Sequence, residues 1–403
     1  MTIGSRWICG MPNGNDLKYR RLKKHKIGIT GQAGFVGYHL YTTLSLNDGV
    51  ELVNFERSYF EEPDQLEAFV ASCDTIVHLA AMNRHEDPNV IYKTNIALVS
   101  KLIAACEAKK VTPHIVFSSS SQELRDNLYG KSKKEGKLKF AEWAQISGGK
   151  FTSLTIPNVF GPFGKPNYNS VVATFCHKVA HDEEATIIND GEVGLIYINE
   201  LVAVFIDAIF ERIKGQKLNQ HSIELDIPPN HHIKVSKLLA LLKKYRKDYM
   251  DDGIFPNLEN AFEKALFNTF RCYVPATHYP VKYTKHTDPR GSFVEIARTQ
   301  TSGQFSFSTT VPGITRGNHF HTRKAERFAV IKGKARIQLR RIGTDRVINY
   351  ELDGDEPAYV DMPIWHTHNI TNIGDDELIT LFWINEPYDP EDADTYFEDV
   401  EIN

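Results

Sequence analysis

Short apolar runs alternate with stretches of helical periodicity along the first two thirds of the chain. A strand-like run at Lys26–Thr30 is followed by a helical pattern through Leu40 and Leu44, and further strand-like runs come at Glu51–Phe55, Thr75–Ala81 and His114–Phe117. Apolar positions that recur every three to four residues indicate helices, and short continuous apolar runs indicate buried strands. Strands that alternate with helices predict a parallel, doubly wound α/β sheet.

The helices of this region carry boundary signals of their own. One helix is predicted from Asp64, with Asp64 and Glu67 as a capping box, and a long one from about Asn89 to Lys109. Helical periodicity returns at Val235–Tyr245 and Leu258–Phe270.

The pattern changes near residue 275, beyond which short strands recur with turn signals between them, as in an all-β barrel or sandwich. The chain is therefore expected to hold an α/β domain over residues 27–275 and an all-β domain over residues 276–403. Residues 1–26 lack periodicity and end in the basic run Lys18–Lys26, which predicts a poorly ordered extension. An RNA- or membrane-binding arm is the alternative for this segment.

Composition narrows the class of protein. The chain has 403 residues, of which 41% are hydrophobic, enough for two domains with buried cores. The formal net charge of −4 gives no sign of nucleic-acid binding, and no apolar run approaches the ~18 residues of a membrane span. The 5 cysteines are scattered without a C-x-x-C pair, which favours a reducing compartment. We expect a cytoplasmic protein with no nucleic-acid or membrane partner.

The first predicted strand leads into a glycine-rich turn, Gly31-Gln-Ala-Gly34-Phe35-Val36-Gly37, and then into a helix. This order suits the pyrophosphate of a dinucleotide, because glycines allow close backbone approach and a helix N-terminus offers free N–H groups. The next strand ends at Glu56 and Arg57, where the adenosine ribose is expected. Glu56 suits the 2′-hydroxyl of NAD and Arg57 suits the 2′-phosphate of NADP, and we favour NADP(H).

Tyr129 and Lys133 are four residues apart, so on a helix they share one face. A lysine ammonium beside a phenol favours the phenolate, and it is expected to lower the tyrosine pKa toward the working range of an acid catalyst. The run Ser118–Ser121 precedes them at a predicted strand end, where one serine can hydrogen-bond the same substrate carbonyl.

The glycine turn, His78-Leu-Ala-Ala81, the serine run and Tyr129-x-x-x-Lys133 together resemble the extended short-chain dehydrogenase/reductases over about residues 26–270. The resemblance implies a Rossmann domain in which Ser120, Tyr129 and Lys133 are catalytic, with Ser119 and Ser121 as alternatives for the serine. It also implies that Tyr129, Lys133, Leu79, Ala80 and Ala81 contact the cofactor, and that the substrate lies beside Asn158, Lys165 and Asn169.

The segment from Gly313 to Gly333 concentrates side chains that bind metals. His319 and His321 are two residues apart, so in a strand they face the same way. Glu326 opens the next apolar run, as the second arm of a hairpin would. Two imidazoles and a carboxylate suit zinc, non-haem iron or manganese. His368 offers a fourth ligand, with His366 as a competitor.

This spacing resembles the cupin family, whose first motif, G-x5-H-x-H-x(3,4)-E-x6-G, fits at every fixed position. The second motif, P-x-G-x2-H-x3-N, departs once, because Trp365 stands where the family has glycine. The resemblance implies a jelly-roll barrel that holds a divalent metal, with zinc favoured. The implied ligands are His319, His321, Glu326 and His368.

A second resemblance falls on the same domain. Asp288-Pro-Arg-Gly-Ser-Phe-Val-Glu295 and Arg316-Gly-Asn-His319 are similar to the deoxysugar 3,5-epimerases of the dTDP-rhamnose type. In those metal-free enzymes, the histidine aligned with His319 removes a proton beside a ketone. They carry glutamine at the position of His321 and lysine at that of Glu326, so His319 is here either a catalytic base or a metal ligand. Tyr388 is a candidate for the acid on the opposite face.

Beyond residue 26 the chain is similar to bifunctional bacterial enzymes of capsule and O-antigen assembly, in which such a reductase is fused to a cupin. The resemblance implies a homodimer that acts on a UDP-linked 4-keto amino sugar. The cupin would epimerise C3, and NADPH would then reduce C4 to give UDP-2-acetamido-2,6-dideoxy-L-talose for N-acetyl-L-fucosamine synthesis. Epimerisation comes first, because the C3 proton is acidic only while C4 is a ketone. The alternatives are a single activity with a structural or regulatory cupin, and a non-catalytic sensing module.

Overall fold

In a computed structural model of the protein, the described residues are 23–283, 286–288, 291–293, 298–299, 304–386 and 390–402. The extension predicted over residues 1–26 lies outside them apart from residues 23–26, the last two of which belong to the first strand. None of the helices in the described part of the chain is sufficiently long and apolar to span a membrane.

The first part of the chain alternates strands and helices as predicted. Its elements are β1 (His25–Thr30), α1 (Phe35–Leu44), β2 (Val50–Val53), α2 (Pro63–Ala71), β3 (Thr75–His78), α3 (Pro88–Lys109), β4 (His114–Ser120), α4 (Leu128–Ser147), β5 (Phe151–Ile156), β6 (Asn158–Phe160), α5 (Val171–Ala180), β7 (Glu192–Tyr197), α6 (Ile198–Ile209), β8 (Gln216–Asn219), β9 (Ser222–Asp226), β10 (His231–Lys234), α7 (Val235–Tyr245), β11 (Ile254–Phe255) and α8 (Ala261–Arg271).

Seven of these strands form one sheet in the order β2-β1-β3-β4-β5-β9-β8. All neighbours are parallel except β8 and β9. The strands are buried on both faces, since β1 ends in four buried residues and all of β3 is buried. This burial is expected where helices cover both sides of a parallel sheet. The parallel α/β Rossmann-like prediction is confirmed.

Two local predictions for this region need correction. The capping box of Asp64 and Glu67 is wrong, because α2 begins at Pro63 and Glu62 is its N-cap without a side-chain hydrogen bond. Proline suits the first helical position because its missing N–H would have no partner there. The strand predicted over residues 75–81 ends at His78, so Leu79, Ala80 and Ala81 lie in the loop that follows it.

The second part of the chain is all-β, which confirms the coarse prediction. Its strands are β12 (Val281–Lys282), β13 (His286–Asp288), β14 (Gly291–Phe293), β15 (Arg298–Thr299), β16 (Gln304–Thr310), β17 (Thr315–Phe320), β18 (Glu326–Lys332), β19 (Lys334–Arg341), β20 (Val347–Asp353), β21 (Ala358–Met362), β22 (His366–Asn372), β23 (Leu378–Ile384) and β24 (Tyr396–Phe397). They build two five-stranded antiparallel sheets, β12-β21-β18-β23-β16 and β20-β19-β22-β17-β24. One core of buried residues joins the two sheets, with Val330 and Val360 from the first and Ile337 and Ile370 from the second.

The hairpin predicted between His319 and Glu326 is wrong. Strand β17 pairs with β22 and β24, whereas β18 pairs with β21 and β23. The two strands therefore belong to different sheets, and the short connection between them crosses from one sheet to the other. Spacing along the chain matched a hairpin, but the choice of pairing partner depends on distant strands.

The two parts of the chain pack directly against each other. Strand β11 pairs in parallel with β15, and Trp383 belongs to the large core cluster of the α/β part. At the same boundary, Arg327 and Asp361 form a buried ion pair with Nε–Oδ1 and Nη2–Oδ2 distances of 2.7 and 3.0 Å. The Tyr249 hydroxyl also donates to Asp361. The change from α/β to all-β structure thus falls within continuous packing.

Candidate functional site

The glycine turn between β1 and α1 is built for close backbone approach. Gly31 has a φ of +79°, and a Cβ there would lie 2.9 Å from the Ala80 nitrogen. A Cβ on Gly37 would lie 2.2 Å from the Gly31 carbonyl oxygen. Gly34 is the N-cap of α1, and Phe35 and Val36 open the helix, so its free N–H groups face the turn. This cradle fits the pyrophosphate of a dinucleotide.

The loop after β3 lies against this turn. The Leu79 N–H donates to the Thr30 carbonyl at 3.1 Å, and the Ala80 N–H donates to the Thr30 hydroxyl at 3.3 Å. Leu79 and Ala80 therefore lie beside the predicted cofactor cradle at the carboxyl edge of the sheet, and Ala81 follows them in the same loop. Glu56 and Arg57 are both exposed beyond the end of β2. The structure leaves both side chains available to an adenosine ribose.

Tyr129 and Lys133 lie in the first turns of α4, next to the end of β4. The Lys133 ammonium donates to the Ser118 carbonyl at 2.8 Å and lies 5.9 Å from the centre of the Tyr129 ring. Strand β4 extends through Ser120, whose hydroxyl accepts from the Gln122 N–H at 3.2 Å. Ser119 is buried and donates to Glu123, so its hydroxyl already has a partner within the protein.

Burial controls the titration of this pair. It raises the pKa of Tyr129 to about 12, and Tyr168 adds to the rise. Burial also lowers the pKa of Lys133 to about 8, against an opposing effect of the Glu123 carboxylate. The expected lowering of the Tyr129 pKa is thus not found in this structure, because desolvation of the buried phenol sets the direction of the shift. A phenol with this pKa is protonated at neutral pH and can donate its proton.

A buried ionic network beneath the serine run was missed by the sequence reasoning. The Lys137 ammonium lies 2.6 Å from a Glu123 oxygen and 2.5 Å from a Glu224 oxygen. Glu224 also accepts from the Thr155 hydroxyl at 3.1 Å. Lys137 lies one helical turn after Lys133, a spacing that places both on one helix face and was available as a signal.

The predicted substrate residues lie on and after β6, at the surface of the α/β part. Asn158 and Asn169 are exposed, and the Asn158 amide donates to the Gly194 carbonyl at 3.3 Å. The Lys165 ammonium lies 5.2 Å from the centre of the Tyr168 ring. Tyr168 in turn donates to Asn83, in the loop after β3. The structure therefore brings Lys165 and Tyr168 to the loop after β3, and the sequence reasoning missed Tyr168.

In the all-β part, His319, His321, Glu326 and His368 form one cluster. Their ligand atoms all lie within 4.8 Å of one another. Glu326 Oε2 is 2.9 Å from His321 Nε2 and 3.2 Å from His368 Nε2. These three atoms are buried and, among the described residues, have no hydrogen-bond partner outside the cluster, as expected of ligand atoms that point at a common centre. Two or three imidazoles with one carboxylate fit a divalent transition metal such as zinc.

The cluster spans the gap between the two sheets and has one accessible side. His319 and His368 are register partners in β17 and β22, whereas Glu326 opens β18 in the other sheet. His319 is only partly buried, and the other three are buried. Burial, followed by the neighbouring His368 and His321, lowers the pKa of His319 to about 4. Its imidazole is therefore neutral at pH 7, as a metal ligand or a base requires.

A bulge in β17 sets the orientation of His319. The register with β22 shifts between Gly317 and His319, and Gly317 has a φ of +107°. A Cβ at Gly317 would lie 2.8 Å from the His368 carbonyl oxygen, so a larger residue does not fit. Local sterics at this bulge therefore explain why the Arg316-Gly317-Asn318-His319 motif contains a glycine.

The segment around Asp394 braces the cluster from outside. The Asp394 carbonyl accepts from His321 Nδ1, so the Nε2 lone pair faces the other ligands. The Asp394 carboxylate accepts from the backbone N–H groups of Thr322, Arg323 and Lys324, each at 3.0 Å. This support was missed, because it comes from a loop remote in sequence.

His366, the competing ligand, is not in the cluster. Its ring centre lies 5.9 Å from that of Phe163 in the α/β part, and its Nδ1 lies 3.0 Å from the Ile364 carbonyl oxygen. His368 takes the fourth ligand position instead. Tyr388, the predicted acid, lies outside the described residues, as do Arg290 and Glu295 of the epimerase-like motif.

Comparison with known proteins finds matches for both parts of the chain. Residues 27–219 match the NAD dependent epimerase/dehydratase family, and residues 286–396 match the polysaccharide biosynthesis C-terminal domain. The UDP-2-acetamido-2,6-beta-L-arabino-hexul-4-ose reductase of Pseudomonas aeruginosa is 35% identical over 373 residues, covering 92% of this chain and 98% of that protein. The capsular polysaccharide assembling protein CapF from Staphylococcus aureus has a solved structure that is 35% identical, with a TM-score of 0.57, covering 93% of this chain and 100% of that one. The spore coat polysaccharide biosynthesis protein SpsL of Bacillus subtilis is 26% identical over 123 residues, covering 28% of this chain and 82% of that protein.

Proposed function

The chain belongs to the family of the UDP-2-acetamido-2,6-beta-L-arabino-hexul-4-ose reductases, and we propose that it converts a UDP-linked 4-keto amino sugar in two steps. The all-β part, which we take to be a cupin barrel, epimerises C3. The α/β part then reduces C4 with NADPH, giving UDP-2-acetamido-2,6-dideoxy-L-talose. The observation that carries the proposal is the presence, in one chain, of Tyr129 beside Lys133 and of His319 in a separate cluster.

In the reductase, each residue has a role that follows from its position. Ser120 orients the C4 carbonyl from the end of β4, and Tyr129 Oη gives its proton to the C4 alkoxide as that charge forms. Lys133 holds the cofactor ribose and offsets negative charge at Tyr129. The turn of Gly31, Gly34 and Gly37 would hold the cofactor, and bound NADPH supplies the hydride.

Arg57 is proposed to bind the 2′-phosphate, with Leu79, Ala80 and Ala81 lining the cofactor. Asn158, Lys165 and Asn169 are proposed to bind the nucleotide sugar. The cationic Lys165 suits the diphosphate, and its exposure leaves the ammonium free to meet it.

In the epimerase, the C3 proton must leave while C4 is still a ketone, and a proton must return to C3 from the opposite face, for which Tyr388 is the proposed donor. His319 is the proposed base, because it is neutral at pH 7 and lies on the accessible side of the cluster. His321, Glu326 and His368 would hold a divalent metal, with His319 as the fourth ligand when it does not act as a base. A bound zinc ion would stabilise the fold of the barrel and would act as a Lewis acid toward a ketone.

The experiment separates the two activities. NADPH oxidation and deuterium wash-in at C3 are measured with the 4-keto substrate. Tyr129→Phe should abolish NADPH oxidation and leave C3 exchange intact. Tyr92→Phe, whose phenol binds Glu135, is the matched control and should retain both. Loss of both activities in folded Tyr129→Phe would refute the two-site model. NADPH oxidation without any C3 exchange in the wild type would instead favour a single reductase with a structural all-β part.

A further inference from the structure

Trp365 has a backbone conformation that glycine adopts more readily than any other residue. Its φ is +58°, in the left-handed region that residues with a Cβ seldom adopt. Its side chain is nonetheless among the largest that are fully buried in the described part of the protein. A bulky residue kept in this conformation indicates that the ring itself has a use.

On one side, Trp365 contacts the backbone beside the four-residue cluster. Its backbone N–H donates to the His321 carbonyl at 2.8 Å, and its ring stacks on Phe320 with centres 5.5 Å apart. Phe320 lies between the two cluster residues His319 and His321, and Trp365 precedes the strand that carries His368. The tryptophan thus contacts the backbone on which three of the four cluster residues lie.

On the other side, Trp365 reaches the helix that follows the glycine turn. Its ring meets the His39 ring edge to face at 6.1 Å, and His39 is a fully buried residue of α1. His39 Nε2 lies 2.9 Å from the Pro162 carbonyl oxygen, and its ring stacks on Phe163 at 5.8 Å. Helix α1 is therefore held between the all-β part and the turn after β6.

A second connection runs beside the first. The Tyr38 hydroxyl of α1 donates to the Ile342 carbonyl, and the Ile342 N–H donates to the Trp365 carbonyl at 2.9 Å. The Arg341 guanidinium lies 4.8 Å from the Phe163 ring centre and 5.4 Å from that of Tyr38. Trp365 accordingly lies at the contact between helix α1 and the backbone that carries the cluster.

We propose that Trp365 is a positioning residue that couples the four-residue cluster to the glycine turn, so that metal binding at one tightens NADP(H) binding at the other. The Trp365 ring packs on a neighbour of each site, Phe320 beside the cluster and His39 in the helix after the glycine turn, so a ligand that orders one site lowers the ordering cost at the other. By linkage the effect is reciprocal. The inference rests on the proposed function for the identity of the two ligands.

The test measures binding and needs no turnover. The NADPH dissociation constant is obtained by isothermal titration calorimetry for the zinc-loaded and the chelator-treated intact protein. We expect metal removal to weaken NADPH binding by about fivefold or more in the wild type. Trp365→Gly, which suits the local φ, should make the dissociation constant independent of metal. The matched control is Trp383→Phe, at a separate contact between the two parts where Trp383 lies 4.6 Å from Phe255, and it should keep the dependence.

If Trp365→Gly does not fold, His39→Ala breaks the same contact from the helix side and should also remove the dependence. The coupling is refuted if metal removal leaves wild-type NADPH binding unchanged, or if either variant keeps the fivefold effect. The coupling through Trp365 is also refuted if Trp383→Phe loses the metal dependence of NADPH binding, because any weakening of the packing between the two parts would then have the same result. If the wild-type protein reduces the 4-keto sugar but its NADPH binding does not depend on metal, the coupling is refuted and the proposed function stands. A protein that binds neither zinc nor NADPH refutes the proposed function with it.

Discussion

The buried ion pair between the two parts of the chain gives a stability prediction with a definite size. Asp361→Leu removes the carboxylate that binds Arg327 through two contacts of 2.7 and 3.0 Å. The guanidinium then remains buried beside the Tyr359 ring at 3.7 Å, the Phe255 ring at 4.9 Å and the Gly253 carbonyl at 3.3 Å, with no carboxylate left among the described residues to neutralise it. An uncompensated buried charge costs about 3–5 kcal/mol, and we expect the free energy of unfolding to fall by that amount.

The double variant Arg327→Met/Asp361→Leu supplies the contrast. It removes both charges and leaves apolar side chains, so its stability should lie within about 1 kcal/mol of the wild type or exceed it. Urea unfolding followed by tryptophan fluorescence and by circular dichroism measures each variant. Because the ion pair lies at the boundary between the two parts of the chain, Asp361→Leu should shift the fluorescence transition and the circular dichroism transition together. A single variant as stable as the wild type, or a double variant as unstable as the single, would refute this reasoning.

Three further predictions concern the proposed activities. Burial lowers the pKa of Lys133 from an ordinary 10.5 to about 8, so its ammonium loses a proton as the pH rises through about 8 and kcat/KM for reduction should fall there. A kcat/KM that stays flat up to pH 10 would contradict the role of Lys133. Arg57→Ala removes a charge-assisted contact of about 1.5–3 kcal/mol, so KM for NADPH should rise roughly tenfold or more while KM for NADH hardly changes; equal weakening of both would point to Glu56 and NAD. Glu326→Gln should lower metal content and the melting temperature while C3 exchange persists through neutral His319, and a folded variant without exchange would instead assign enolate stabilisation to the metal.

The sequence predicted those features whose signal is local. The glycine turn, the four-residue spacing of Tyr129 and Lys133, and the helix Val235–Tyr245 all depend on neighbours within a few residues. The alternation of elements likewise fixed the order of the α/β part. The four-residue cluster was found because ligand spacing matched a family motif, although the arrangement of its strands was wrong.

Features set by distant contacts escaped prediction. Strands β17 and β18 looked like a hairpin, but each finds its partners elsewhere in the chain. The pKa of Tyr129 depends on burial, which the spacing to Lys133 does not reveal. Trp365 appeared as a departure from a motif, and its contact with His39 needed the packing of the two parts.

The pairing of the all-β part also determines how it must fold. Within its two five-stranded sheets, as far as they are described, β19 and β20 form the pairing between strands adjacent in sequence, whereas Glu326 pairs with Ile384 and Thr315 with Thr371. Such high contact order slows folding, because long loops must close before their contacts form. His319 meets His368 only when β17 and β22 have paired, so the cluster assembles after the slow step. A bound metal should then slow unfolding and leave the refolding rate nearly unchanged.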